Sequence, residues 1–207
     1  MEKTTELIST KGFLLKILMW LPICFVAWYF ITPAIVYLLS FLGKAILVNI
    51  SNGAVIDVEQ QKNLLHIITR FPAEESNDVN KGQLVFIINA MKYGYGIALF
   101  VAMLLATPDK WSNKFQNMYI GILILLVVQV WGITFDSMQT LVFGLGREVG
   151  ETIGTTEFTR ELIALGYQLG YLILPAITPI ILWFSMYQDQ LAKLAPKFAA
   201  VNKKNKS

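Results

Sequence analysis

The sequence predicts a membrane α-helical protein with four transmembrane helices, a small extracytoplasmic three-stranded β-meander and a short amphipathic helical loop. Three observations point there. The chain has 207 residues, is 55% hydrophobic and only 15% charged, with mean hydropathy +0.55; soluble domains carry about 25% charged residues. The stretches Ile17 to Gly43, Phe115 to Phe135 and Leu162 to Gln188 contain no charge, and each exceeds the roughly 20 residues that cross about 30 Å of hydrocarbon as a helix. Between the first two spans, short Val- and Ile-rich runs alternate with turn residues.

The whole chain reads as a single membrane domain, and its first span is expected over about residues 14–42. A cleaved secretory signal has an apolar core of only about 7–15 residues and a small-residue cleavage site. "LPIC" (Leu21 to Cys24) also lacks the small residue before cysteine that a lipoprotein signal requires. Cys24 is the only cysteine, which excludes an internal disulfide, and an apolar span keeps a thiol inert.

A β-meander is expected over about residues 54–89, from "AVIDVEQ", "LLHIITRF" and "QLVFIIN" with polar turns between them. On the middle segment Leu65, Ile67, Thr69 and Phe71 share one face, and Leu64, His66, Ile68 and Arg70 the other. About 35 residues cannot bury a core of their own. The sheet must rest on helix ends, on the membrane surface or on a partner, and apolar side chains on both faces favour a partner protein.

The second span, about 91–108, is short, with Tyr93 to Pro108 uncharged. It crosses if the bilayer thins or Lys92 snorkels. The third is expected over 116–135. In the outer loop, 136–160, Met138, Leu141, Val142, Leu145 and Val149 form one stripe at helical spacing. Glycines at 144, 146, 150 and 154 divide it into two short pieces that would lie in the membrane interface. "GLGREVG" misses the dinucleotide fingerprint by one residue and follows no strand, so no nucleotide site is expected. The fourth span, about 161–187, carries Gly166 and Gly170 at the spacing that lets helix backbones approach. Pro175 and Pro179 follow and should bend it.

Orientation follows from lysines near the span ends. Lys3, Lys11 and Lys16, then Lys110 and Lys114, then the basic tail (188–207) fall on one side, while the loops opposite are balanced or acidic. Both termini are therefore expected in the cytoplasm and both larger loops outside. Trp20, Trp111, Trp183 and Tyr187 would mark the inner interface and Trp131 the outer one. The basic tail reads as a topology determinant, and no nucleic-acid partner is expected.

Chemistry is sparse. The weak catalytic candidates are His66, Arg70, Asp57 and Glu59. A Ser-His-Asp set would need His66 with Ser51 or Ser76 and with Asp57 or Asp78. One histidine and one cysteine leave no metal cluster, and no cofactor is expected. Within the spans Gln129 and Asp136, seven apart, share a face, and Gln168 lies in the fourth. Interhelical hydrogen bonding is the plain role for such residues. No ionisable residue sits at the bilayer centre, which disfavours coupled transport.

"LMWLPICFVAWYFITP", "VEQQKNLLHIITRF", "YGYGIALF", "VQVWGITFD" and "ELIALGYQLGYLILPAITP" together resemble the exosortase H-associated membrane proteins, over nearly the whole chain. The resemblance implies a multi-pass protein of the bacterial inner membrane, linked to exosortase, the polytopic transpeptidase that processes C-terminal sorting signals on exported proteins. It carries over no catalytic residues. The chain is not an exosortase: that enzyme needs an outer Cys, Arg and His set, and Cys24 lies inside a span. The reading is thus a non-catalytic accessory or scaffold whose partners are the bilayer, an exosortase and its exported substrates, with a homo-oligomer open. The alternatives are a membrane-embedded enzyme at the outer interface, or a small-solute transporter or channel subunit lined by Gln129, Asp136 and Gln168.

Overall fold

In the computed structural model, residues 10–73, 82–145 and 147–194 are described. The chain opens on a 41-residue helix, α1 (Thr10–Ile50), about 60 Å long at the ordinary rise. Asn52 and Gly53 then adopt φ of +50° and +76°, the left-handed region that Gly and Asn reach at least cost. The Ser51 Oγ accepts from the Val55 N–H at 3.0 Å, and the Asn52 side chain donates to the Ile153 carbonyl at 2.8 Å.

Three strands follow: β1 (Val55–Gln61), β2 (Leu64–Pro72) and β3 (Gln83–Asn89), antiparallel in the order β1-β2-β3. Val58 pairs with Ile67 and Ile67 with Phe86, while Leu65 pairs with Ile88. Val55, Val58, Leu65, Ile67 and Ile88 are buried in one cluster with Val36, Leu39 and Leu47 of α1. The sheet therefore rests one face on its own helices, where the sequence reading favoured a partner. Its opposite face exposes Ile56, Val85 and Ile87. At the far end of β1, the Gln60 side chain donates to the Pro33 carbonyl at 2.7 Å. The sheet thus lies alongside the second half of α1, from Pro33 onward.

Helix α2 (Met91–Ala106) follows β3 after the single residue Ala90 and forms the centre of the bundle, with Tyr93, Phe100 and Leu104 almost fully buried. Gly94 lies against the Trp28 indole, and a Cβ at Gly96 would come within 2.6 Å of the Pro175 carbonyl oxygen. Helix α3 (Trp111–Gln139) runs into a wide π turn, Thr140–Gly144. The short α4 (Arg147–Ile153) follows, then α5 (Glu157–Gln168), whose Thr156 Oγ1 caps the Thr159 N–H at 3.2 Å. A second π turn, Leu169–Ile173, precedes α6 (Leu174–Leu194). Pro175 has no N–H to donate and crowds the carbonyl four residues back, which such a wide turn relieves.

Three helical stretches are long and apolar enough to cross a membrane: Lys11–Ile50, Trp111–Gly144 and Glu157–Gln188. The fourth expected span is α2, and its 16 residues rise only about 24 Å. The stripe Met138, Leu141, Val142, Leu145 and Val149 does not lie on a lipid surface. Leu141 is fully buried, and the other four pack in or against the cluster that also holds the sheet.

Candidate functional site

Periodicity on α3 puts Gln129, Gly132, Ile133 and Asp136 on one face, and α2 lies against it. Asp136 is only 5% exposed. The Tyr93 hydroxyl donates to its Oδ2 at 2.8 Å, and the Lys92 ammonium stands 3.9 Å from the same oxygen. Lys92 also lies 6.0 Å from the centre of the Tyr171 ring, which meets Tyr93 edge-on at 6.4 Å and stacks with Tyr167 at 5.8 Å. One carboxylate, one ammonium and three phenols from α2, α3 and the α5–α6 segment thus converge.

Glycines make room for this. A Cβ at Gly132 would fall within the Tyr93 ring, and one at Gly170 would come 3.1 Å from the Gly132 Cα. At Gly166 it would strike the Phe135 ring, while the Gly166 carbonyl accepts from the Trp131 indole at 3.1 Å. Gly166 and Gly170 therefore face α3 of the same chain. Pro175 and Pro179 are buried beside Gly96 of α2.

Gln129 is 2% exposed, on the same face as Asp136, and its Nε2 has no hydrogen-bond partner among the described residues. Gln168 ends α5 and is exposed, so the fold does not bring it to that pair. Sequence reasoning had Asp136 and Gln129 but not Tyr93, the partner that completes the site, nor Gly132, which admits the Tyr93 ring. The cluster holds a negative charge in place; it contains no Ser, Cys or His for nucleophilic work.

The four sheet candidates stay apart from it. His66 sits on the outer face of β2 between Glu59 of β1 and Ile87 of β3, and its Nε2 has no partner among the described residues. Arg70 is exposed, 5.5 Å over the Phe71 ring. Ser51 is occupied by the Val55 N–H; Ser76 and Asp78 lie outside the described residues. No group of three or more His, Cys, Asp or Glu suited to a metal occurs among the described residues.

Asp57 pairs with Lys44 at 2.9 Å and accepts from the Val58 N–H at 2.6 Å. The Lys44 hydrogen bond holds its carboxyl below the ordinary carboxylate range. A depressed pKa stabilises the fold above the unfolded value of about 3.9, and that contribution is lost as pH falls through the lower folded value. Both side chains are over a third exposed, so solvent screening limits the pair to about 0–1 kcal/mol. Asp57→Asn should lower the thermal midpoint slightly at pH 7, and by progressively less as pH falls below the ordinary carboxylate range; a loss that does not shrink with falling pH would dismiss the ion pair as its cause.

Comparison with known proteins agrees with the resemblance read from the sequence. The family described as exosortase H-associated membrane protein matches residues 7–190. No curated protein and no solved structure matches the chain. With the family covering nearly the whole chain, from α1 into α6, the chain belongs to the exosortase H-associated membrane proteins.

Proposed function

We propose that the chain is a non-catalytic accessory or scaffold of a bacterial exosortase-type sorting system, which docks the enzyme or its substrate on the outer sheet. The observation that carries this reading is the sheet's second face. With one face already laid on α1, the other leaves Ile56, Val85 and Ile87 exposed at 45%, 45% and 56%. Apolar residues grouped on a sheet face in this way mark interaction surfaces.

The membrane placement follows from the open sheet edge, whose unpaired N–H and C=O groups cannot lie in hydrocarbon. The sheet and the part of α1 beside it, from Pro33 to Ile50, then belong outside the apolar layer. That layer runs from Lys16 to Pro33 on α1, about 26 Å, along all of α2, about 24 Å, and from Lys114 to Asp136 on α3, about 33 Å. On this reading α2 is the fourth crossing, sheathed by its neighbours, with Lys92 at its outer edge. On the same reading, the lysines at the other end support cytoplasmic termini and a sheet on the periplasmic side of the inner membrane. Enzyme and transporter readings have less support: the described residues assemble no nucleophile and base, and Tyr93 closes over Asp136.

Deleting residues 55–89 would be a poor test, because it would strip the cover from Val36, Leu39 and Leu47 of α1. The double variant Val85→Lys/Ile87→Lys alters only exposed positions. It should insert at normal levels yet lose about tenfold or more of the co-purified exosortase, as expected for charge placed in an apolar contact. Full recovery of the enzyme would overturn the reading.

A further inference from the structure

A cleft at the opposite end of the bundle, between α1 and the turn joining α2 to α3, has a volume of about 370 Å³. Lys16 of α1 and Lys114 of α3 face into it, and Met19, Ile23 and Leu105 supply an apolar wall. Lys114 is only 8% exposed. Its ammonium donates to the Leu105 carbonyl at 3.0 Å and lies 5.1 Å from the centre of the Trp111 ring. Those contacts fix the group while leaving two of its three N–H donors for something else.

Neither lysine forms an ion pair among the described residues. The nearest acid, Asp109, lies close enough for its charge to act on Lys114 but forms no ion pair with it; its hydrogen bonds go to the Lys110 N–H at 2.7 Å and the Asn113 side chain at 3.1 Å. A buried ammonium beside a second cation is stabilised by a further anion placed between them. We propose that this cleft binds the phosphate of an anionic phospholipid, held between Lys16 and Lys114, with an acyl chain along Met19 and Ile23.

The wall decides the source of the phosphate. Met19 and Ile23 are 66% and 58% exposed on the flank of α1, and the uncharged stretch of the first span begins at Ile17, directly after Lys16. The cleft is therefore at the level where lipid headgroups meet hydrocarbon, and it opens sideways toward acyl chains. A basic pocket between membrane helices at that level suits a lipid phosphate better than a free one. The exosortase reading is not needed for this site.

The test uses the full-length protein purified in detergent, with native mass spectrometry to count retained lipid. Phosphatidylglycerol should be retained about fivefold more than phosphatidylcholine, whose phosphate is the same but whose trimethylammonium would add a third cation beside Lys16 and Lys114. Lys16→Gln should remove that preference and Lys16→Arg should keep it. Lys110→Gln, a nearby lysine outside the cleft wall, should leave it intact. Three results would overturn the proposal: retention unchanged in Lys16→Gln, an equal loss in Lys110→Gln, or displacement of the lipid by soluble glycerol phosphate. Lys16 carries the test because it is exposed, whereas replacing the buried Lys114 risks the fold.

Discussion

Gly132→Ala is expected to destabilise the helical bundle by about 2–4 kcal/mol. In an unencumbered helix the same change would stabilise by about 1 kcal/mol through propensity alone, so packing has to reverse the sign. It does so because the added methyl group would fall within the Tyr93 ring, and that ring has nowhere to retreat. Tyr93 is 2% exposed, its hydroxyl is bonded to Asp136, and its edge meets Tyr171. On the same side of α3, Gly170 already brings its backbone against the Gly132 Cα. Overpacking of this kind costs about 1–3 kcal/mol and sometimes more. Displacing the tyrosine then leaves a buried carboxylate short of a donor, about 1–3 kcal/mol further. Gly43→Ala is the matched control: a Cβ there meets nothing within 4 Å, and it should be neutral or slightly stabilising. Unfolding in mixed micelles, followed by intrinsic fluorescence, gives both numbers, and equal midpoints for the two variants would refute the packing account.

Much of the fold is written in local pattern, and what is not local was not legible. The strands announce themselves by β-branched runs between turn residues, and alternation alone put Leu65, Ile67 and Thr69 on the face that is buried. The length of α1 did not show. Lys44 ends the uncharged run, yet the helix continues to Ile50 because Asp57 neutralises Lys44 and Leu47 packs under the sheet. Both partners come from a strand that no local rule places there. The Asp136 cluster has the same character. A heptad spacing paired Asp136 with Gln129, but Tyr93 is 43 residues away and reads as one more aromatic at a helix start. Gly132 is a lone glycine in an apolar run, which costs a membrane helix little, and only the ring opposite gives it a purpose. The shortness of α2 was visible; that its neighbours bury most of it, Tyr93, Phe100 and Leu104 almost completely, was not.

Replacing either partner of the Tyr93–Asp136 hydrogen bond should cost about 2–3 kcal/mol, and replacing both should cost clearly less than the sum. The asymmetry of buried polar groups is the reason. Tyr93→Phe leaves the Asp136 carboxylate buried with Lys92 as its remaining charge partner, 3.9 Å away and on a side chain 42% exposed, which is worth at most about 1 kcal/mol. Asp136→Leu strands a phenol hydroxyl in a closed apolar setting. The double variant Tyr93→Phe/Asp136→Leu strands neither, so a double-mutant cycle should return a coupling of about 1–2 kcal/mol. Additive losses would mean that the hydrogen bond contributes nothing of its own. Asp136→Asn separates structure from chemistry, because its carbonyl still accepts from Tyr93 while the charge is gone. If the cluster only ties α2 to α3, this variant folds with a loss of about 1 kcal/mol or less and recovers as much exosortase as the unaltered chain. A stable Asp136→Asn protein that inserts normally but no longer supports sorting would instead make the charge itself the working part, and would move the functional site from the sheet to the outer edge of the membrane helices.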